Sequence, residues 1–174
     1  MALTITATAG SATANSFSTL AEAETYMEGR GNKALWTAAS DGDKNIALVE
    51  ATRDIDAMAF SGYRSDSTQS LDWPREWAVD PDDPNQDYFD NDVVPTRVKN
   101  AACELAFQYI KAGTTDVAAI DSKVNVKRKK VDVLETEYFA STTTPQGVAR
   151  YPRVMTWLRP LLATSGITTP VVRG

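Results

Sequence analysis

The stretch Val94–Gly113, VPTRVKNAACELAFQYIKAG, carries the clearest structural signal in the chain. Four apolar or aromatic residues recur at the i, i+4, i+7 and i+11 spacing of one buried helix face: Val98, Ala102, Leu105 and Tyr109. Pro95 suits the first helical position, where its missing N–H costs nothing, and Gly113 suits the position after the last turn. The pattern therefore predicts a helix from Pro95 to just before Gly113, and its many alanines would let another helix approach closely.

Two further helices are predicted before this stretch. Thr19 and Glu22 form a capping-box pattern at the start of the first, and Gly29 lies where it should end. Ser40 or Asp41 can cap a second helix that runs to about residue 60. Its predicted core-facing residues are Leu48, Thr52, Ile55 and Ala59, with Ile46 and Val49 widening the face.

The C-terminal part changes period. Residues 122–139 alternate apolar and polar positions, which predicts two strands or one long bent strand. Tyr151-Pro152 opens a last short helix, with Val154, Leu158, Leu161 and Leu162 predicted to point inward. The fold expected is mainly α: four helices with a minor β element over 122–139. The division expected is an extended arm over 1–15, one α-rich domain over 16–162 and a flexible tail over 163–174.

The amino-acid composition argues against several classes of protein function. The chain has 174 residues, is 43% hydrophobic, and carries a net charge of −5 with a pI near 4.8. That charge argues against a generic nucleic-acid binder, whose affinity comes mainly from Lys and Arg on phosphates. No apolar run approaches the ~18–20 residues of a membrane span, and no secretory signal is visible. Cys103, the only cysteine, fits a buried residue in a protein of the reducing cytoplasm.

The chain contains no histidine, which removes the commonest general base and the commonest metal ligand together. A Ser-His-Asp or Cys-His arrangement is excluded, and so is a zinc site with histidine. We therefore expect no enzyme activity, no catalytic or metal-ligating residues and no cofactor.

Carboxylates are the remaining chemical groups of interest. Six aspartates lie between Asp80 and Asp92, but the prolines and the missing glycine break the EF-hand pattern, so a solvated acidic loop is favoured over a cation site. Four further acids, Glu22, Glu24, Asp54 and Asp56, are expected on solvated helix faces, because nothing places one of them in an apolar pocket.

The only block of consecutive basic residues is Lys127-Arg128-Lys129-Lys130. A charge run of this kind is typical of a solvated hairpin tip. If the block is functional, it would contact phosphates or an acidic partner.

The triplet Trp73-Pro74-Arg75 is expected to mark structure and to carry no chemistry. Pro74 pushes Trp73 into an extended conformation, so the indole can be buried where a loop meets helices two and three. Arg75 would be solvated, pair with an acid of the same subunit, or reach a neighbouring subunit.

Several segments together resemble one family. They are Ala14-Asn15-Ser16-Phe17, Phe60-Ser61-Gly62-Tyr63-Arg64, Trp73-Pro74-Arg75, Glu104-Leu105-Ala106 and Tyr151-Pro152-Arg153-Val154. In this order they resemble the head–tail connector (adaptor) proteins of tailed bacteriophages, often labelled DnaT-like single-stranded-DNA-binding proteins. The resemblance covers residues 14–162.

The resemblance implies a four-helix connector-type subunit of the virion neck, made in the cytoplasm of the bacterial host. It implies a homo-oligomeric ring, expected to be twelve-fold, between the portal protein and a neck or tail protein, with double-stranded DNA passing non-specifically through its channel and no membrane contact. It places portal binding near the C-terminus, here at Thr168, Thr169, Pro170, Val171, Val172 and Arg173.

The alternative is the function in the family's label, a single-stranded-DNA-binding module. Such modules combine a cationic groove with stacking aromatics. Here four aromatics lie beside aspartates, away from the basic block: Trp73, Trp77, Tyr88 and Phe89. The virion adaptor is therefore the leading hypothesis from sequence.

Overall fold

The computed structural model describes residues 3–85, 87–114 and 147–163, and the course of the chain over 128–131 and 134–137. These parts are mainly helical. The α-helices are α1 (Leu20–Glu28), α2 (Ala34–Ala38), α3 (Asp41–Asp56), α4 (Thr96–Ala112) and α5 (Pro152–Leu158). Short 3-10 helices, Gly147–Arg150 and Arg159–Leu161, flank α5. Two antiparallel ribbons pair β1 (Tyr63–Arg64) with β2 (Arg75–Glu76), and β3 (Arg128–Val131) with β4 (Leu134–Glu137).

Side-chain caps set the beginnings of α1 and α3. The Thr19 hydroxyl accepts a hydrogen bond from the Glu22 N–H at 3.2 Å, and the Glu22 carboxylate accepts one from the Thr19 N–H at 2.7 Å. The Ser40 hydroxyl accepts from the Asp43 N–H at 3.1 Å. The capping box and the Ser40 cap predicted from sequence are confirmed, and each satisfies backbone donors that a helix start leaves free.

Helix α4 lies at the centre of the fold and packs mainly against α3 and α5, with smaller contacts to α1 and α2. All four residues of its predicted face are 0–1% exposed. Pro95 is its N-cap, and Gly113 ends it in the left-handed conformation, with φ +68°. The helix predicted from this stretch is confirmed, because every turn buries a residue of the same face.

The core around α4 collects large side chains from every helix. Those excluded from solvent include Phe17, Met27, Trp36, Leu48, Ile55, Trp73, Leu105, Phe107, Tyr109, Leu158 and Leu161. Burying each apolar side chain of this size contributes about 1.5–3 kcal/mol relative to leaving it exposed.

Three details differ from the sequence prediction. Helix α3 ends at Asp56, so Ala59 lies beyond it and is exposed. Ile46 is 45% exposed, because two residues from Leu48 it falls on the opposite side of the helix. The short helix α2, which buries Trp36, was missed, since five residues are too few to show a helical period.

The mainly α fold class is confirmed, but the described residues contain five α-helices instead of four, and nothing confirms a connector-type bundle. Of the two alternatives predicted for 122–139, two strands or one long bent strand, the structure has two, β3 and β4, and residues 128–130 lie in β3 instead of at a hairpin tip. Residues 3–15 form no helix or strand. They are held by hydrogen bonds such as Ser70 Oγ to the Ser11 carbonyl, at 3.0 Å. The division into arm, domain and tail stays a prediction. No helix among the described residues combines the length and apolar character needed to cross a membrane.

Candidate nucleic-acid interface

Trp73 of the predicted marker triplet is a packing residue. Its indole is 1% exposed and meets the rings of Phe60 and Phe89 edge-on, with centroids 5.6 and 5.7 Å away. The Trp73–Pro74 peptide bond is cis. The triplet therefore offers no aromatic face to a ligand.

Arg75 is buried as well and fixes the loop that precedes it. Its guanidinium donates to the carbonyls of Ser61 at 2.8 Å, Gly62 at 2.7 Å and Asp72 at 3.2 Å, and it lies 3.1 Å from the Asp72 carboxylate. Of the three alternatives from sequence, the structure shows pairing with an acid of the same chain. We call this arrangement the Arg75 clamp.

The basic block lies only partly within the described residues. Lys127 falls outside them, and residues 128–130 lie on β3. The register sets Arg128 opposite Glu137 and Lys130 opposite Glu135. The suggested contact of Lys127, Arg128, Lys129 and Lys130 with phosphates or an acidic partner stays a prediction. The suggested partner-binding residues, Thr168 to Arg173, lie outside the described residues.

The four helix carboxylates singled out from sequence all have structural partners. Glu22 caps α1 and pairs with Lys99, and Glu24 pairs with Lys44. Asp54 accepts from the hydroxyl of Tyr109, and Asp56 accepts from the Asp72 N–H at 2.6 Å. Burial raises the pKa of Asp56. These contacts join elements of the fold. Glu22 and Glu24 remain 42% exposed, in agreement with the expected solvated faces, whereas Asp54 and Asp56 are half-buried.

The acidic loop binds a basic residue of the same chain. Arg97 Nε donates to the carboxylate of Asp82 at 2.7 Å, which lowers the pKa of Asp82. Among the described residues, no group of three or more Cys, Asp and Glu side chains is arranged to hold a metal ion.

Charge is distributed very unevenly along the chain. Residues 1–95 contain six basic and 17 acidic residues, a net charge of −11, whereas residues 96–174 contain 12 basic and six acidic residues, a net charge of +6. No acidic residue follows Glu137, while four arginines do. Such asymmetry between halves is found in chains that contact nucleic acid or a membrane surface, and in chains with an acidic or basic tail. This signal was available in the sequence and was hidden by the total of −5.

The structure places part of this positive charge on α5 and at its two ends. Arg150 lies in the 3-10 turn before the helix, Arg153 and Trp157 are one turn apart on it, and Arg159 follows it. Residues four apart share a helix face, so Arg153 and Trp157 lie on one side of α5, while Arg150 and Arg159 lie just beyond its two ends. The Arg153 side chain is 71% exposed, Arg159 is exposed and Trp157 is half-buried. We call these four residues the α5 face.

A groove between α1 and α4 adjoins the α5 face. It has a volume of about 400 Å³ and is lined by Ala21, Glu22, Thr25, Tyr26, Thr96, Lys99, Asn100 and Cys103. Glu104 connects the two features, because its Oε1 accepts a hydrogen bond from the Tyr26 hydroxyl at 3.0 Å and lies 3.7 Å from Nη1 of Arg153. The arrangement places arginines, an indole and a groove with a mainly apolar surface next to one another, and groups of these kinds bind phosphates and unpaired bases.

Comparison with known proteins gives one match. The whole chain, residues 1–174, matches the family described as "Putative DnaT-like ssDNA binding protein". No curated protein and no solved structure matches the chain.

This match confirms one part of the sequence-based recognition and corrects another. The DnaT-like label is confirmed over the whole chain. The description as a virion structural protein was wrong, because the family points to single-stranded-DNA binding and not to a head–tail adaptor. A DNA partner is supported. The portal and neck or tail partners, the ring and the double-stranded-DNA channel are not. The adaptor hypothesis relied on the net charge of the whole chain, −5, and therefore overlooked the positive charge of residues 96–174.

Proposed function

We propose that this chain, which belongs to the family of DnaT-like single-stranded-DNA-binding proteins, binds single-stranded DNA on the α5 face. Arg153 and Arg159 would contact phosphates, and Arg150 would add positive charge near the N-terminal end of α5. The half-buried indole of Trp157 and the adjoining α1–α4 groove would contact a base.

The observation that carries this proposal is the placement of Arg153. Its side chain is 71% exposed, one turn from Trp157, on a segment that contains no acidic residue. The carboxylate of Glu104 lies 3.7 Å from Arg153 and is already held by two hydrogen bonds from Arg30. Arg153 is therefore available to a phosphate at small cost.

Trp157 and the α1–α4 groove form the second part of the proposed site, and they explain a preference for single-stranded DNA. Stacking needs an unpaired base whose face is free, and base–aromatic stacking contributes about 1–3 kcal/mol per base. A duplex offers Arg153 and Arg159 the same phosphates but keeps its bases paired. Discrimination between single-stranded and double-stranded DNA should therefore come from Trp157 and the groove.

The test is a fluorescence-anisotropy titration of a labelled oligo-dT of about 16 nucleotides, the upper end of the site size of one small domain. The titration is repeated over a series of salt concentrations. For single strands, log K falls with log salt with a slope of about −0.7 per phosphate contact. Replacing both Arg153 and Arg159 with Ala should weaken binding and make the slope shallower by about 1.4.

Arg53→Ala is the matched control. Arg53 is an exposed arginine on α3, with its side chain 66% exposed, and it lies outside the α5 face. The Arg53→Ala variant should bind oligo-dT with nearly the same affinity and salt slope as the parent. The parent should bind a duplex that contains the same strand more weakly than it binds the single strand. The proposal fails if the double variant binds oligo-dT like the parent, or if the parent does not bind at low salt.

A further inference from the structure

A second surface of the chain is rich in exposed aromatic side chains. Tyr63 is 74% exposed, Trp77 61%, Tyr88 53% and Val79 41%. Among the described residues, eight large hydrophobic side chains are exposed, and five of them lie between residues 63 and 93. We call Tyr63, Trp77, Val79 and Tyr88 the aromatic patch. Concentrated exposure of this kind marks an interaction surface more often than scattered single residues do.

Trp77, Val79 and Tyr88 are neighbours in the structure, and Tyr63 lies on the strand next to them. The rings of Trp77 and Tyr88 meet edge to face, with centroids 5.2 Å apart and planes at 76°. Val79 pairs with Tyr88 in an antiparallel bridge, and Tyr63 pairs with Glu76, the neighbour of Trp77. The segment 75–80 therefore runs between two short pairings, with 63–64 on one side and 87–89 on the other.

The patch is held in a fixed shape. The Arg75 clamp ties β2 to the carbonyls of Ser61 and Gly62, directly before Tyr63. Trp77 has a φ of +60°, a conformation that bulky residues rarely adopt. A surface that is already ordered loses little conformational entropy when a partner binds.

The charge around the patch selects the partner. No basic residue occurs between Arg75 and Arg97, whereas seven acidic residues do. Arg97 pairs with one of these seven, Asp82. Phosphates would be repelled from this surface, so the patch is unsuited to DNA, and a cationic ligand would be attracted.

We propose that the aromatic patch docks an arginine- or lysine-rich segment of a partner protein. Guanidinium or ammonium groups would stack on the exposed faces of Trp77 and Tyr88, an attraction that planar aromatic rings offer to cations. Glu76 and Asp87 flank these rings in sequence and would pair with the same charges. The surface is separate from the α5 face, and the proposal does not depend on DNA binding.

The test uses the full chain and a synthetic probe. The probe is a 12-residue peptide of six arginines, two leucines and four serines, and its matched control replaces every arginine with uncharged citrulline. Binding is followed by tryptophan fluorescence and by calorimetry. The arginine peptide should bind and change the emission of Trp77, and the citrulline peptide should bind at least tenfold more weakly.

Variants separate a specific site from general attraction to an acidic protein. Trp77→Ala should weaken peptide binding about fivefold or more, since a cation–π contact on a partly desolvated ring is lost. The double variant Glu76→Gln, Asp87→Asn should weaken it similarly. Glu28→Gln, which removes an exposed carboxylate from α1, should have little effect. Circular dichroism and thermal unfolding establish that each variant is folded.

Three outcomes would overturn the proposal. In the first, the Glu28 and Glu76/Asp87 variants lose affinity equally, which shows unspecific charge attraction. In the second, Trp77→Ala reduces oligo-dT binding and leaves peptide binding unchanged, which assigns the patch to DNA. In the third, sedimentation shows self-association of the chain that Trp77→Ala abolishes, which means that a second copy covers the patch.

Discussion

The guanidinium of Arg30 holds the carboxylate of Glu104 through two hydrogen bonds, Nε to Oε1 at 3.1 Å and Nη2 to Oε2 at 2.8 Å. Glu104 is 2% exposed at the centre of α4, and the Arg30 guanidinium also lies 3.9 Å above the Phe107 ring. The Tyr26 hydroxyl donates to the same carboxylate from α1, and Arg153 approaches it from α5. One buried charge therefore connects three helices, including the one that carries the proposed DNA contacts.

Removing one partner of this pair should be costly. Arg30→Ala leaves the Glu104 carboxylate without its main partner, and breaking a buried pair in this way typically costs about 3–5 kcal/mol. The measurement is the free energy of unfolding in urea. The double variant Arg30→Met, Glu104→Leu removes both charges and should recover part of the loss. If Arg30→Ala costs no more than the exposed-site change Arg53→Ala, the Arg30–Glu104 pair contributes little to stability.

Tyr26 should make stability fall at alkaline pH. Burial, and next the charge of Glu104, raise the pKa of Tyr26 from 10.0 to about 12. A group whose pKa is raised in the folded state contributes stability below its unfolded pKa, and that contribution is lost as pH rises from 10 towards 12. Urea unfolding over this range should show the decline, and Tyr26→Phe should make it shallower. An equal decline in both proteins would contradict the assignment to Tyr26.

How much the sequence could predict depended on the length of each pattern. The buried face of α4 repeats over four turns, so its spacing identified Val98 and Tyr109 without a structure. Helix α2 has five residues, and only tertiary contacts show that Trp36 is buried. The α5 face was missed for another reason. Arg153 and Trp157 are neighbours only once the segment is known to be helical, and the total charge hid the basic half that contains them.

Cys103 should be unreactive in the native protein. It is 2% exposed, its Sγ lies 3.5 Å from the Ser18 hydroxyl, and burial raises the pKa of its thiol to about 11. The thiolate is the reactive form, so modification by a disulfide reagent at neutral pH should be slow and should become fast in urea. Glu28→Cys in a Cys103→Ala background provides an exposed thiol for comparison. If the native parent and the native Glu28→Cys, Cys103→Ala variant are modified at equal rates, Cys103 is accessible to the reagent.

Arg75→Lys should destabilise the protein although it keeps the charge. An ammonium group cannot reproduce the planar fork that reaches the carbonyls of Ser61, Gly62 and Asp72, so at least one buried acceptor loses its donor. A buried polar group left unsatisfied costs about 1–3 kcal/mol, which urea unfolding can measure. Arg64→Lys is the control, because Arg64 is 44% exposed and pairs with the same Asp72. If Arg75→Lys and Arg64→Lys lower the free energy of unfolding by similar amounts, the Arg75 clamp contributes no more to stability than the exposed Arg64–Asp72 pair.

Gly62→Ala should be more damaging than Gly113→Ala, although both glycines have positive φ, +75° and +68°. A Cβ on Gly62 would lie 2.2 Å from the Glu76 carbonyl oxygen and 2.9 Å from the Trp77 carbonyl carbon, and backbone atoms cannot move aside cheaply. A Cβ on Gly113 would meet no described atom within 4 Å, so that variant suffers only the conformational cost of a left-handed alanine, about 1–2 kcal/mol. The difference in unfolding free energy therefore measures the close approach of β1 and β2. Since Trp77 directly follows β2 and its backbone is among the atoms that a Cβ on Gly62 would meet, Gly62→Ala should also alter the near-ultraviolet circular dichroism of the Trp77–Tyr88 pair, whereas Gly113→Ala should not. Equal losses in stability, or unchanged spectra in both, would show that the ribbon can shift without disturbing the aromatic patch.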